Sequence, residues 1–168
     1  PDWIWIKGRS VAENHNVYDS VRGAGIRLIP NTGSNDTTKT DTQKSFDSDG
    51  FTLDSGAEVN DNSQTFVSWN WKAGTSFSNS GGSNGADLAS SGTFNRTAGF
   101  SIVTFTGNAT ANQQIYHGLN SVPKWMVLKN RTNTNNESWC VYHQELGNTK
   151  KLTLDTTATA TTNVEFWQ

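Results

Sequence analysis

Two distant stretches of this chain repeat the same order of residue types. Pro1–Ser10 reads PDWIWIKGRS and Pro123–Thr132 reads PKWMVLKNRT, so proline, tryptophan, alternating apolar residues, lysine and arginine recur in register. The similarity continues from Asn16–Tyr18 to Cys140–Tyr142, after two extra residues in an Asn-rich loop. Self-similarity of this kind is the signature of repeat architectures. The chain is therefore expected to hold a unit and part of its copy, which favours an architectural or adhesive protein over a one-site enzyme.

The two copies are expected to be incomplete at opposite ends. Residues 1–74 are predicted to be the C-terminal portion of a first unit, 75–98 a flexible connection rich in Ser, Gly and Asn, and 99–168 the N-terminal portion of a second unit. We therefore expect a window from a longer repetitive polypeptide. Two packings remain open: both halves form one double-sheet sandwich, or each full unit is a separate sandwich and the chain holds a part of each.

The composition is typical of an all-β protein. Ser, Thr and Asn together outnumber the charged residues, and the chain has seven tryptophans. β-Branched and aromatic residues suit half-buried strands, whereas Ala, Leu, Glu and Met, the strong helix formers, are scarce. With 168 residues the chain is long enough to bury a sizeable core. The predicted fold is an antiparallel β-sandwich built from imperfect repeats.

Alternating residues predict short strands along the chain. At Asp2–Lys7, Trp3 and Trp5 lie on one face and Ile4 and Ile6 on the other, so both faces of this strand are apolar. Such a strand is either covered on both sides or offers its tryptophan face to a partner. The polar stretch 31–44 is predicted to be a long surface loop or a disordered tip. Turn-forming residues separate further strands predicted at Asn16–Asp19, Ile26–Ile29, Gly50–Leu53, Gln64–Lys72, Phe100–Thr106, Gln114–His117, Ser138–His143, Lys151–Asp155 and Asn163–Trp167.

Charge, cysteine content and hydropathy argue against several classes of partner. The net charge is −2 with acidic and basic residues interspersed, so the sequence lacks the electrostatic signature of binding to nucleic acid or to an anionic membrane. Cys140 is the one cysteine of the sequence, which excludes an internal disulfide and a Cys-rich zinc site. No apolar run approaches the roughly 18 residues of a membrane span. We expect neither a nucleic-acid partner nor membrane insertion.

No combination of residues in the sequence predicts an active site. Cys140 and His143 resemble a nucleophile and its base, but residues three apart on a strand point to opposite faces. Cys140 is therefore interpreted as a small core residue. The glutamates lie in or beside polar loops without a glycosidase pattern, and the chain has no G-x-S-x-G, P-loop or dinucleotide motif. The sequence predicts a protein that is not an enzyme, with no catalytic residues and no organic cofactor.

One acidic segment resembles the start of a calcium loop. Asp47 and Asp49 alternate with a serine and are followed by Gly50, like the first ligands of such a loop. The remaining ligands expected for the loop are missing at the required spacing. The favoured alternative is an Asp-stabilised turn that leads into the strand at Gly50–Leu53. Asp47 and Asp49 are kept as candidate metal ligands for weak calcium binding.

The tryptophans are the main candidates for ligand contacts. Flat indole rings stack on sugars, while nearby Asn, Asp and Gln side chains bind hydroxyl groups. The alternative is burial in a core or a subunit interface, where large aromatic residues are also abundant. Trp69 and Trp71 share a face with Val67, which favours burial of both. The candidate positions for contact with a glycan or a second subunit are Trp3, Trp5, Trp125 and Trp139.

Four segments of the chain together resemble the motifs of a known family. They are PDWIWIK at Pro1–Lys7, YDSVRG at Tyr18–Gly23, SFDSDGFTL at Ser45–Leu53 and FVSWNWKAG at Phe66–Gly74. Together they resemble a repeated domain of tail-associated, tail fibre-like structural proteins in tailed bacteriophages, especially marine ones. The stretch from Gly99 to Lys124 resembles the opening of the next copy. The resemblance implies a concanavalin A-like lectin sandwich, with jelly-roll topology and without catalytic residues to carry over.

The resemblance also implies a function. It predicts a non-enzymatic structural protein of the virion, outside the cell, which acts as a tail fibre or appendage module and recognises host-surface glycans. It implies contacts with other virion proteins and assembly as a homo-oligomer, with a trimer expected by analogy with other fibres. Repeated weak sites then act through avidity. Two alternatives stay open: a bacterial extracellular adhesin or filament subunit, and a carbohydrate-binding module or glycan-cleaving tailspike.

Overall fold

The computed structural model describes residues 1–133, 135–164, 166 and 167. They form mostly β structure, in several small antiparallel sheets with almost no helix, as the composition predicts. No helix among these residues is long and apolar enough to cross a membrane. Helical structure comprises α1 (Ala57–Asn60) and a 3-10 turn at Gln144–Leu146. The strands are β1 (Trp3–Gly8), β2 (Asn16–Asp19), β3 (Ile26–Arg27), β4 (Thr37–Thr38), β5 (Gln43–Asp47), β6 (Gly50–Leu53), β7 (Phe66–Trp71), β8 (Thr75–Asn79), β9 (Ser90–Asn95), β10 (Phe100–Phe105), β11 (Trp125–Leu128), β12 (Cys140–His143), β13 (Lys150–Thr153) and β14 (Thr161–Thr162).

β1 is the central strand of a three-stranded antiparallel sheet with the order β2-β1-β7. Side chains alternate along it, so Ile4 and Ile6 share one face while Trp3 and Trp5 share the other. The two isoleucines are only 0% and 2% exposed, and the two tryptophans are half-buried. Both faces of β1 are therefore covered, which is the first of the two arrangements expected for this strand.

The first core cluster lies on the isoleucine face of this sheet. Ile4 and Ile6 pack there with Tyr18 of β2 and with Val59, which α1 supplies. Removing each such side chain from water contributes about 1.5–3 kcal/mol, so the cluster anchors α1 to the sheet. The apolar side chains that complete the cluster come from the hairpin β5-β6 and from β7, and are Phe46, Phe51, Leu53 and Phe66.

The second sequence copy forms a four-stranded sheet in the order β11-β12-β13-β14. The pairing of β11 with β12 has the same register as the pairing of β1 with β2, at the positions that the sequence similarity aligns. The bridge from β2 to Leu28 likewise corresponds to the pairing of β12 with β13. The corresponding pairs are Trp3–Asp19 and Trp125–His143, Trp5–Val17 and Val127–Val141, and Val17–Leu28 and Val141–Leu152.

The second core cluster contains residues from both sequence copies. Val17 and Leu28 of the first copy pack with Trp139 of the second. The cluster lies on the tryptophan face of β1, so β1 and β2 lie between the two clusters. Partly buried side chains around the cluster also come from both copies, and are Trp3, Trp5, Val127 and Leu154.

Polar contacts also connect the two copies. The Trp139 indole donates its Nε1 hydrogen to the carbonyl oxygens of Ile29 at 3.3 Å and Thr32 at 3.0 Å. The Lys129 ammonium donates to the carbonyl oxygen of Gly33 at 2.8 Å. The segment after Ile29 is therefore held against the second sheet by Lys129, which follows β11, and by Trp139, which precedes β12.

The prediction of a flexible connection at 75–98 is wrong in its local structure, because the segment contains β8 and β9. β8 pairs with β9, and β9 pairs with β10, in a third antiparallel sheet with the order β10-β9-β8. The small residues suit a close approach of strands: a Cβ atom added to Gly92 would lie 2.0 Å from the carbonyl oxygen of Ile102. Phe77 packs edge to face on Tyr116, with ring centroids 5.2 Å apart. The division of the chain into repeat units at this segment stays a prediction.

The polar stretch 31–44 is also more ordered than expected. It contains β4, and its end at Thr42 and Gln43 is buried, with exposed fractions of 0% and 1%. Gln43 is held because its Oε1 atom accepts a hydrogen bond from the amide of Gly25 at 3.1 Å. A polar side chain can be buried when another group of the protein forms a hydrogen bond with it. Composition alone does not predict such a bond.

Other predicted strands are shorter in the structure or lie partly outside the described residues. Gln114–His117 reduces to an isolated parallel bridge between Leu88 and Ile115. The strand predicted at Ile26–Ile29 ends at Arg27, although Leu28 still bridges to β2. The strand predicted at Asn163–Trp167 includes Glu165, which lies outside the described residues.

Candidate functional site

β1 and β7 together carry four tryptophans on one face of their sheet. The register places Trp3 opposite Trp71 and Trp5 opposite Trp69, so all four indoles point the same way. The Trp3 and Trp71 rings meet edge to face with centroids 4.8 Å apart, and the Trp5 and Trp69 rings do so at 6.2 Å. Phe100 at the start of β10 stacks on Trp71 with an interplanar angle of 27°. We call Trp3, Trp5, Trp69, Trp71 and Phe100 the aromatic surface.

The aromatic surface has a buried side and an exposed side. Trp3 and Trp5 lie toward the second core cluster and are half-buried, whereas Trp69 and Trp71 are 45% and 40% exposed. The expectation that Trp69 and Trp71 are buried is therefore wrong. The reason is that the second core cluster covers the tryptophan face at β1 and β2, where Trp3 and Trp5 pack against it, whereas Trp69 and Trp71 on the edge strand β7 are not part of that cluster. Edge-to-face packing against the buried indoles fixes the exposed rings in place.

A hydrogen bond fixes the orientation of the Trp5 ring. The indole Nε1 donates to Nδ1 of His15 at 2.9 Å, and the two rings meet edge to face at 5.6 Å. Because an indole N–H can only donate, this nitrogen of His15 must be unprotonated. Burial, and secondarily the charge of Lys7, lowers the pKa of His15 and favours that neutral form.

A shallow cavity of about 300 Å³ opens at the end of β7, on the isoleucine face of the sheet, because Phe51 belongs to the first core cluster and Asn70 lies opposite Ile4. The side chains of Asp49, Asn70 and Lys72 bring hydrogen-bonding groups to its lining, next to the apolar ring of Phe51. A flat ring beside amide, carboxylate and ammonium groups matches the needs of a sugar, which has both apolar faces and hydroxyl groups. The cavity is therefore a candidate binding region on one face of the sheet, while the exposed indole of Trp71 belongs to the opposite face of β7.

The other two candidate tryptophans of the second copy lie in different environments. Trp125 is 53% exposed at the start of β11. Its indole does not pack on another aromatic ring among the described residues. Trp139 is only 6% exposed, and its Nε1 hydrogen is bonded to backbone carbonyls. The ring of Trp139 is a core side chain, whereas Trp125 is a surface side chain separate from the aromatic surface.

Asp47 and Asp49 flank the tight turn between β5 and β6. The two carboxylate oxygens of Asp47 accept hydrogen bonds from Ser45 Oγ at 2.8 Å and Thr52 Oγ1 at 2.9 Å. Asp49 lines the cavity beside Trp71 instead. The contacts of Asp47 are those of a residue that stabilises a hairpin, in line with the favoured alternative. Within 1–133, 135–164, 166 and 167, no three His, Cys, Asp or Glu side chains are close enough to hold a metal ion.

The geometry of β12 does not favour a Cys–His catalytic pair. Cys140 and His143 are three apart on the strand, so their side chains project to opposite faces. Burial raises the pKa of the Cys140 thiol, with Lys151 opposing that effect. A raised pKa disfavours the reactive thiolate. His143 Nδ1 accepts a hydrogen bond from the amide of Glu145 at 3.3 Å.

Sequence reasoning missed that Trp69 and Trp71 are the exposed part of the site. The signal that identifies them is the strand order, since an edge strand keeps one flank open to solvent, and strand order is not encoded in alternation. The polar residues Ser68 and Asn70 that alternate with these tryptophans are exposed as well. Exposure of both faces of β7 is therefore the feature that distinguishes it from β1.

Comparison with known proteins finds no match among curated proteins or solved structures. A family described as "Domain of unknown function (DUF7483)" has a model that matches residues 1–168. Since this match spans the whole chain, the protein belongs to the DUF7483 family.

Proposed function

We propose that this chain is a non-enzymatic structural and adhesive module of a phage virion appendage, and that it binds a cell-surface glycan through the aromatic surface. The observation that carries the proposal is the pair of exposed indoles on β7, held by edge-to-face packing on two half-buried ones. Monomeric soluble proteins rarely leave a contiguous aromatic cluster exposed without a ligand or partner. The virion, and the extracellular location that it implies, rest on the resemblance of the sequence segments.

Rigid indole rings are suited to sugars. The C–H groups of a pyranose ring stack on an indole face, and the rings lose little conformational freedom when they bind. In this site, the exposed rings of Trp69 and Trp71 offer the apolar platform. Stacking alone discriminates weakly among sugars.

A shallow site of this size binds weakly on its own. Assembly of the module as a homo-oligomer, with a trimer as the expected state, multiplies the number of sites that meet one cell surface. Avidity from linked sites exceeds the affinity of one site by about 10²–10⁴. Adhesion by an appendage therefore does not require a deep pocket.

The same surface could instead serve a bacterial extracellular adhesin or filament subunit, or a carbohydrate-binding module joined to a glycan-cleaving tailspike. These alternatives share the aromatic surface and differ in the host particle and in catalysis. Release of reducing ends from a bound polysaccharide would identify the glycan-cleaving alternative. Immunolabelling with an antibody to this chain distinguishes virions from bacterial filaments.

Glycan-array binding tests the proposal directly. Trp71→Ala and Trp69→Ala are each expected to lower glycan binding about fivefold, since each removes a stacking platform of about 1 kcal/mol. Trp125→Ala is the matched control, because it removes an exposed indole that lies outside the aromatic surface. Light scattering of the same variants reports the oligomer size.

Unchanged glycan binding by the Trp69→Ala/Trp71→Ala double variant would overturn the glycan site. If that variant instead dissociates an oligomer, the aromatic surface is a subunit interface. A glycan signal that disappears equally in Trp125→Ala would show that the loss does not come from the aromatic surface.

A further inference from the structure

The two sheets that share a register differ in how their first strands are paired. β1 has a neighbour on both sides, β2 and β7. β11 has β12 on one side, and no strand within the described residues pairs with its other side. We call this unpaired side the open edge of β11.

The alternation of hydrogen bonds along antiparallel strands identifies the residues whose N–H and C=O groups point outward at the open edge. The amide of Gln144 donates to the carbonyl oxygen of Lys124 at 2.9 Å, so these two residues form a hydrogen-bonded pair. Such pairs occur at every second residue, which directs Met126 and Leu128 toward β12. The N–H and C=O groups of Trp125 and Val127 therefore point out from the sheet at the open edge.

In the first sheet, the corresponding backbone groups of β1 pair with another strand. The amide of Ser20 donates to the carbonyl oxygen of Asp2 at 2.8 Å, which directs Ile4 and Ile6 toward β2 by the same alternation. The outward groups of β1 are therefore those of Trp3 and Trp5. β7 covers them, with Trp71 and Trp69 as the opposing residues.

The side chains give a second, independent indication. Trp3 is half-buried because Trp71 packs against it, whereas the corresponding Trp125 is 53% exposed. The strand Trp125–Leu128 is apolar and contains neither a charged residue nor a proline, the devices that normally protect an edge strand from pairing. The outward backbone groups of β11 and the indole of Trp125 thus have no strand beside them, within the described residues, on the flank where β1 meets β7.

We propose that the open edge of β11 binds an extended segment with the sequence pattern of β7, added as an antiparallel strand. The shared register places a tryptophan of that segment opposite Trp125, a second aromatic residue opposite Val127, and a β-branched residue opposite Lys129. Main-chain hydrogen bonds provide the affinity, and the aromatic contact with Trp125 selects the pattern. The proposal depends on the repeated register and is independent of glycan binding.

A synthetic peptide with the sequence of Gln64–Lys72, QTFVSWNWK, is a suitable probe because it contains the whole of β7. Hydrogen exchange of the intact chain is measured with and without the peptide. At a peptide concentration of about ten times its dissociation constant, exchange of the Val127 amide is expected to slow about tenfold. Amides of β1 serve as the internal reference, since β7 already covers that strand.

A peptide variant and a chain variant distinguish strand addition from nonspecific binding. A peptide with Val67→Pro lacks the N–H that faces Lys7 in the chain, and it is expected to give no protection at β11. In the chain, Trp125→Pro removes an outward N–H at the first residue of the strand, where proline is tolerated. Trp125→Ala is its matched control, because both variants lose the indole but only the alanine variant keeps the N–H.

Protection by the peptide that is lost in Trp125→Pro and only weakened in Trp125→Ala supports the proposal. Equal binding by both variants, or equal protection by the Val67→Pro peptide, would overturn it. Protection of β11 that rises with chain concentration when no peptide is present would also contradict it, since a second folded copy would then cover the edge. The peptide variant leaves the chain unchanged, so the test stands even if a chain variant fails to fold.

Discussion

The residue scale shows how far environment, rather than residue type, decides the role of a tryptophan. Trp139 and Trp71 are both preceded by a small polar residue in the sequence, yet one is 6% and the other 40% exposed. Their positions differ in what packs against them: Trp139 lies in a cluster shared by both copies, while Trp71 lies on an edge strand. The sequence predicted that tryptophans are central to the protein, but which indoles are exposed depends on tertiary packing.

The bond between Trp5 and His15 makes stability depend on pH. Because the pKa of His15 is lowered in the folded chain, the unfolded chain binds the proton more readily, and stability falls as the pH drops below the unfolded value of about 6.5. The stability stops falling once the pH is below the pKa of His15 in the folded chain. His117, whose pKa burial also lowers, contributes in the same direction.

His15→Gln is expected to reduce the loss of stability between pH 7 and the folded pKa, because glutamine does not titrate and its amide oxygen accepts from Trp5. The measurement is urea unfolding across this pH range. His143→Gln is the matched control, since it removes an exposed imidazole away from Trp5. An identical pH dependence in His15→Gln and the unmodified chain would contradict a role for this hydrogen bond.

At the scale of elements, alternation predicted the apolar strands well. β2 and β6 have the predicted bounds, β1 is shifted by one residue at both ends, and β10 ends one residue earlier than predicted. β8 and β9 were missed because Ser, Gly, Thr and Asn are typical of loops. Their strand structure arises because β8 pairs with β9, β9 pairs with β10, and Phe77 packs on Phe94. A local sequence pattern does not predict these contacts.

The close approach of β9 and β10 gives a test of that missed sheet. Gly92→Ala is expected to lower the free energy of unfolding by about 1–3 kcal/mol, since the added methyl meets the backbone oxygen of Ile102 and forces the strands apart. Gly107→Ala is the control, because nothing lies within 4 Å of its added methyl. Urea unfolding of both variants checks the prediction, and equal stabilities would mean that β9 and β10 do not pair as described.

At the scale of the whole molecule, the sequence predicted a repeated unit but left its packing open. The shared register of the two hairpins agrees with the sequence similarity at each aligned position. The packing was not predictable because it depends on which apolar faces meet, and both faces of β1 are apolar. Val17 and Trp139, from different copies, meet in one cluster, and this contact is the basis of our central claim that the two copies fold as one body.

Cleavage between the copies tests that claim most directly. A protease site is inserted between Gly82 and Ser83, in an exposed turn where a Cβ at Gly82 would meet nothing within 4 Å. After cleavage, the two pieces are expected to co-elute in size-exclusion chromatography at the size of the intact chain. The same cleaved chain with Trp139→Ala, which removes about 3–5 kcal/mol of packing, is expected to separate more readily. Two pieces that elute separately without denaturant, each with its β-sheet circular dichroism retained, would contradict the claim.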